Sequence, residues 1–308
     1  ISLNPKNLEV YFKKGNILKA LGKKEEAIAC YDQAINLNPN YPNIHLNRGL
    51  AFYEMGKNEE ALTCFDQAIS LDQNFCLAYG NKAAAFIAMG KNQEAVDSCD
   101  KAISIDPNYS NAFLNKGNAL KAMKKNQEAL ACYDQAIKID PNFAMAYSNR
   151  GVILVALGKN QEAVVSYDRA ISLDPNSANA YANKSNALRI LKNSQEALTC
   201  AEKAISLNPN LSVAHNNRGL ALKAMGKKEE ALACYDKAIS LDPSDANVYS
   251  NKANIFREMG KYQEALACAE KSISLNPNLS AAYTNKGLAL EEMGKKEDAL
   301  ACYDKAIS

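Results

Sequence analysis

Nine cysteines, two histidines and a surplus of asparagines are the residues of this 308-residue chain whose types could do chemistry. Thiolates attack carbonyls, bind metals or pair as disulfides, so their spacing matters first. Cys30, Cys64, Cys99, Cys132, Cys200, Cys234, Cys268 and Cys302 recur about one or two periods of the chain apart, with no Cys-x-x-Cys among them. Equivalent residues of stacked units lie roughly 8–10 Å apart or more, too far for a disulfide. They read as small apolar core residues kept reduced. His45 and His215 occupy the same place in two distant units, where they substitute for a packed aromatic. No Ser/His/Asp or Cys/His set assembles around them, and no glycine-rich phosphate loop is present. Glu25-Glu26 and Glu229-Glu230 stand at helix starts, where the helix dipole accounts for them. The expectation is a chain with no catalytic residues, no metal and no cofactor.

The asparagines are more informative. Asn47, Asn81, Asn115, Asn149, Asn183, Asn217, Asn251 and Asn285 follow one another at intervals of 34. Three units add two more each: Asn111 with Asn118, Asn179 with Asn186, and Asn247 with Asn254. The spacing i, i+4, i+7 places each trio on one helical face, and Lys121, Arg189 and Arg257 extend it. An amide side chain donates twice and accepts through its carbonyl. It can therefore clasp both the N–H and the C=O of an extended peptide without reading its side chains, each bond contributing about 0.5–1.5 kcal/mol net.

What must position these residues is an internal repeat of 34, with units starting at Leu8, Pro42, Cys76, Ser110, Ala144, Ala178, Ser212, Ala246 and Ser280. Each unit carries a helical pattern over roughly positions 1–14 and another over 18–31. Gly at position 15, from Gly22 to Gly294, suits a left-handed residue closing the first helix; Lys124 and Lys192 replace it twice at a cost of up to about 1 kcal/mol each. Asn58, Asn92, Asn126, Asn160 and Ser194 at position 17 are predicted caps of the second helix, and Pro at position 32 ends it. Position 20 is always Ala, position 27 is Ala except for Ser272, and position 8 is Gly, Ala or Ser, which marks close helix approach. Where position 24 is aromatic (Tyr31, Phe65, Tyr133, Tyr167, Tyr235, Tyr303), position 8 is Gly; where it shrinks to Cys99, Ala201 or Ala269, position 8 grows to Ala83, Ser185 or Ala253. Conserved total volume predicts that the two positions face each other. Lys or Arg at position 7 matches Asp or Glu at position 25 throughout, predicting ion pairs across helices or repeats.

Net charge is +2, from 36 basic and 34 acidic side chains, which provides no field for nucleic acid or an anionic membrane. No apolar run approaches the roughly 18 residues of a membrane span, and no secretion signal opens the chain; a cytoplasmic location is the expectation. Asn108, Asn183, Asn210 and Asn278 fit the N-glycosylation pattern, as an Asn- and Ser-rich repeat does by chance. Residues 1–7 read as the tail of a preceding truncated repeat, and residues 8–308 as one solenoid whose last unit is cut short. Apolar faces at both ends suggest a longer array or end-to-end self-association. The sixth and eighth units match best, as do the seventh and ninth, so a 68-residue pair was duplicated.

Period 34, an aromatic at position 4, small residues at 8, 20 and 27, an aromatic at 24 and Pro at 32 resemble the tetratricopeptide repeat. The resemblance covers Leu8 to Ser308 and departs from the family at position 7, at His45 and His215, and at Gln73 in place of Pro. It implies an all-α solenoid, a right-handed superhelix of about nine helix-turn-helix units with the first helices lining a concave groove. It also implies that positions 2, 5, 6, 9, 12 and 13 face that groove, which would put the asparagine ladder there. The ladder is similar to that in the repeat arm of O-linked N-acetylglucosamine transferases. The clamp by which some family members grip acidic chaperone tails needs Lys at positions 5 and 2, and this chain has none. The function so implied is a scaffold holding an extended protein or peptide partner. Two alternatives stay open: a self-assembling structural solenoid, and the substrate arm of an enzyme whose catalytic domain lies elsewhere.

Overall fold

Eighteen helices and their short turns make up the described residues, 7–307, of the computed structural model. The expected tail of a preceding repeat lies outside them apart from Asn7, the N-cap of the first helix, whose side chain accepts from the Glu9 and Val10 N–H groups. The helices fall into two compact units. The first, ending at Leu157, holds α1 (Leu8–Ala20), α2 (Lys24–Leu37), α3 (Pro42–Glu54), α4 (Asn58–Leu71), α5 (Cys76–Ala88), α6 (Asn92–Ile105), α7 (Ser110–Ala122), α8 (Asn126–Ile139) and α9 (Ala144–Ala156). The second, starting at Gly158, holds α10 (Asn160–Leu173), α11 (Ala178–Ile190), α12 (Ser194–Leu207), α13 (Ser212–Ala224), α14 (Lys228–Leu241), α15 (Ala246–Glu258), α16 (Tyr262–Leu275), α17 (Ser280–Glu292) and α18 (Lys296–Ile307).

The first helix of each hairpin ends where the chain turns left-handed. Gly22, Gly56, Gly90, Gly158, Gly226, Gly260 and Gly294 have φ of 73–80°, and Lys124 and Lys192 adopt φ of 60° and 64° in the same place. The turn is closed by backbone bonds such as Gly56 N–H to Tyr53 O and Lys57 N–H to Phe52 O, which satisfy carbonyls at the helix end. The second helix begins one residue earlier than the capping pattern predicts. Lys57, Lys91, Lys125, Lys159 and Asn193 are the N-caps and make no side-chain cap bond. Asn58 and its equivalents are already helical, so their side chains cannot reach forward to the orphan N–H groups. Behind each second helix from α2 to α16, Asp or Asn at position 31 accepts the N–H of position 33, as Asp106 does from Asn108 at 2.9 Å. This local side-chain turn leads the chain into the next first helix.

Within each unit the interior passes from hairpin to hairpin. One core cluster joins Ala83 and Val96 to Leu114, Leu120 and Tyr133, and on to Ile153. Side chains at position 8 and position 24 meet as the volume trade requires. A Cβ on Gly117 would lie 2.6 Å from the Tyr133 ring, and one on Gly219 would lie 2.6 Å from the Tyr235 ring. The position-7 and position-25 charges pair between successive hairpins: Arg48–Asp32 at 2.9 Å, Lys116–Asp100 at 2.6 Å, Lys184–Asp168 at 2.7 Å and Lys286–Glu270 at 2.9 Å follow one rule. Their carboxylates are about half exposed, so each pair is worth at most about 1 kcal/mol.

The thiols behave as core atoms. Cys99 is fully buried, and burial pushes its thiol from the ordinary value near 9 up to about 12. Because the folded form holds this proton more tightly than the unfolded one, Cys99's contribution is intact below pH about 9 and declines as pH rises toward 12. Alkaline titration of wild type against Cys99→Ala, followed by circular dichroism, is expected to show a smaller loss of stability above pH about 9 in the variant.

Candidate functional site

In each unit the first helices of successive hairpins touch one another: α1 with α3, α3 with α5, α5 with α7 and α7 with α9 in one, α11 with α13, α13 with α15 and α15 with α17 in the other. Within each unit successive second helices do not approach one another as closely. The faces of these first helices turned away from the second helices form the inner side of each unit. Positions 2, 6, 9 and 12 share one face of the first helix.

The position-6 amides are largely used by the stack. Asn115 donates to Gly80 O at 3.1 Å, Asn217 to Ala182 O at 2.9 Å and Asn285 to Ser250 O at 2.9 Å, each reaching the preceding first helix. Asn251 donates to Asn216 Oδ1 at 3.0 Å and Asn149 to Asn118 Oδ1 at 2.9 Å across the same kind of junction. Asn47 and Asn81 instead bond the carbonyls of Asn43 and Leu77 in their own helices, and Asn183 stands half-buried on α11. For Asn217 and Asn285 the expected peptide clasp is corrected. Both are buried, at 5 % and 8 % exposure, and their N–H groups hold neighbouring helices together rather than facing a ligand.

Position 9 splits by what stands at position 24. Asn118 accepts the Tyr133 hydroxyl at 2.9 Å, just as Asn16 accepts that of Tyr31 at 2.8 Å. Where position 24 is Ala, the amide takes other partners: Asn186 accepts from Arg189 at 3.0 Å, and Asn254 accepts from Lys223 while donating to Asn285 at 3.3 Å. Asn111, Asn179 and Asn247 at position 2 are exposed. Lys121, Arg189 and Arg257 at position 12 are half-buried, and burial lowers the Lys121 ammonium below the usual lysine value. The Nε atoms of Arg189 and Arg257 are buried with no hydrogen-bond partner.

Lys19 and Lys223 at position 12 were not singled out from sequence because their units lack the three-asparagine pattern, and Glu258 at position 13, in a unit that has it, because it is an acid beside a stripe of amides and cations. Lys19 reaches Asn47 Oδ1 at 3.3 Å, and Glu258 takes both Lys223 at 3.2 Å and Lys228 at 3.6 Å. The histidines pack as expected: His45 and His215 are buried, each bonding through Nε2 to a turn carbonyl, Pro39 O at 2.8 Å and Pro209 O at 2.9 Å. Among the described residues no three metal-ligating side chains cluster, and no helix is long and apolar enough to cross a membrane.

Profiles described as tetratricopeptide repeat match residues 42–75, 76–109, 212–245, 246–279 and 280–308, with related ones at 98–131 and 178–211. A further profile, described as TPR repeat, matches 15–56, 117–158 and 151–188. No curated protein sequence matches the chain. Among solved structures, the hetero-tetramer Cut9–Hcn1 of the APC/C aligns over 94 % of this chain with TM-score 0.72 and 15 % identity. This chain spans 57 % of that protein's length. A tetratricopeptide repeat protein from Parabacteroides merdae aligns over 81 % of this chain and 98 % of its own, with TM-score 0.63 and 19 % identity.

Proposed function

Because the chain belongs to the tetratricopeptide repeat family, we propose that it is a protein-interaction scaffold holding an extended partner segment along the inner side of its first helices. The observation that carries this reading is the polarity of that side. In the first unit Asn111 stands exposed with half-buried Lys121 on the same helix, and in the second Asn179 and Asn247 stand exposed with half-buried Arg189 and Arg257 on theirs, on helices whose other faces are fixed by packing. Rigid helices presenting polar groups along an open face suit a long ligand better than a small substrate. Behind these contacts stand the half-buried Asn47, Asn81, Asn115, Asn118 and Asn149 in the first unit and Asn183, Asn186, Asn251 and Asn254 in the second, of which Asn115, Asn149 and Asn251 tie neighbouring first helices together.

The test is the triple variant Asn111→Ala, Asn179→Ala, Asn247→Ala beside the wild type, each carrying a photo-cross-linker at Ser148, position 5 of α9, one of the positions that the family resemblance assigns to the groove. The expected result is that the variant loses the wild type's cross-linked partner bands while its melting temperature stays within about 2 °C, since exposed positions rarely change stability by more than about 0.5 kcal/mol. Unchanged cross-linking would overturn the reading. Long concentration-dependent assemblies in light scattering would favour a structural solenoid instead.

A further inference from the structure

The cations of the inner rows are not evenly spread. In the first unit position 12 reads Lys19, Tyr53, Ile87, Lys121 and Val155, so no two cations are neighbours. In the second unit Arg189, Lys223 and Arg257 follow one another on α11, α13 and α15. Beside them lies a cavity of about 560 Å³ lined by Arg189, Lys192, Leu220, Lys223, Ala224 and Glu258, together with Ser194.

We propose that this cavity is a receptor for a carboxylate side chain of an extended acidic peptide, a reading that rests on the scaffold function and names its partner. Three observations point there. The Arg189 guanidinium gives one N–H to Asn186 but keeps its Nε buried with no acceptor, and Arg257 next in the row has the same defect. A buried donor without an acceptor is a standing cost, which the Arg189 guanidinium sheds by turning into the cavity to grip an incoming carboxylate. Lys192 holds a left-handed backbone, φ 64°, where seven hairpins have glycine, and its side chain lines the cavity. Strain of this kind persists where a side chain is needed. Finally, Glu258 neutralises one of the three lining cations, leaving an excess of two positive charges beside an apolar wall of Leu220 and Ala224.

That wall fits the methylenes of a glutamate, and the resident Glu258 charge disfavours the doubly charged phosphate of a phosphopeptide. Neighbouring first helices lie about 8–10 Å apart. A polyproline II peptide advances about 9 Å per three residues with those residues on one side. The matching ligand is therefore a proline-containing segment with an acid at every third position, two of them six residues apart meeting Arg189 and Arg257 and the one between them facing Lys223, which Glu258 already shares.

Fluorescence anisotropy with the full chain tests this, using labelled synthetic peptides of repeated Glu-Pro-Ala, the Gln-Pro-Ala counterpart and a phosphoserine-Pro-Ala counterpart. The Glu peptide is expected to bind and the Gln peptide to bind at least about tenfold more weakly, with affinity falling as salt rises. Arg189→Gln is expected to weaken the Glu peptide about tenfold. Lys192→Gly is expected to weaken it while raising the melting temperature, an outcome that a misfolded variant cannot imitate. Equal binding of Glu and Gln peptides, tighter binding of the phosphoserine peptide, or an unaffected Arg189→Gln variant would each overturn the proposal. The scaffold reading fails separately, in the cross-linking experiment on the exposed asparagines.

Discussion

Gly219→Ala is expected to destabilise the chain by about 1–3 kcal/mol, Tyr235→Ala by about 3–5 kcal/mol, and the two together by at least about 1 kcal/mol less than their sum. The new methyl would sit 2.6 Å from Tyr235 Cε1 and 2.9 Å from Cδ1, inside any permitted contact. The ring has nowhere to go, being 0 % exposed between α13 and α14. Removing the ring takes away the clash and leaves only the cavity, so the second substitution costs less in the first one's presence. The pair Ala253 and Ala269, both fully buried, already shows the end state in the next hairpin. Tyr235 is the best ring for this cycle because its hydroxyl is buried with no hydrogen-bond partner, so its loss breaks no bond. Tyr133 would confuse the result, since its hydroxyl bonds Asn118. Urea unfolding of the four proteins gives the coupling, and strict additivity would mean that the two positions do not constrain each other.

The same contact shows why so much of this fold was legible. A repeat states each packing decision nine times, so exchanges between positions 8 and 24 reveal a contact that one occurrence would hide. The left-handed turn at position 15 was readable for the same reason, including its two lysine exceptions. The ion pairs were readable as a pairing of positions 7 and 25, but their route was open until the structure joined Asp32 to Arg48 and its equivalents across hairpins. Periodicity also set the face on which Asn217 lies. It carried no information on how closely the preceding first helix approaches, and that distance decides whether an amide meets a partner or its own neighbour. The helix start at position 17 was misjudged by one residue because Lys at position 16 takes the capping backbone without any capping side chain. The cluster of Arg189, Lys192 and Lys223 escaped notice because its members occupy two repeat positions on two hairpins, and only stacking brings them together.

The asparagines of position 6 supply the sharpest separation of stacking from display. Asn217→Ala and Asn285→Ala are each expected to cost about 1–3 kcal/mol, from a lost buried hydrogen bond and the space left behind. Asn285 bonds both the carbonyl and the hydroxyl of Ser250, at 2.9 and 3.0 Å, so its loss also leaves a buried Ser250 hydroxyl without that partner. Asn47→Ala and Asn81→Ala are expected to change stability by less than about 0.5 kcal/mol. Their amides bond carbonyls four residues back in their own helices, at half-buried sites that water still reaches, Asn47 taking in addition only a long bond from Lys19, and Ala is the better helix former. Identical residues at identical repeat positions should thus divide into two classes when urea midpoints are compared. If all four variants lose the same stability, the junction bonds seen at Asn217 and Asn285 are not what holds adjacent hairpins together. If none loses any, these two amides are free to serve a ligand after all.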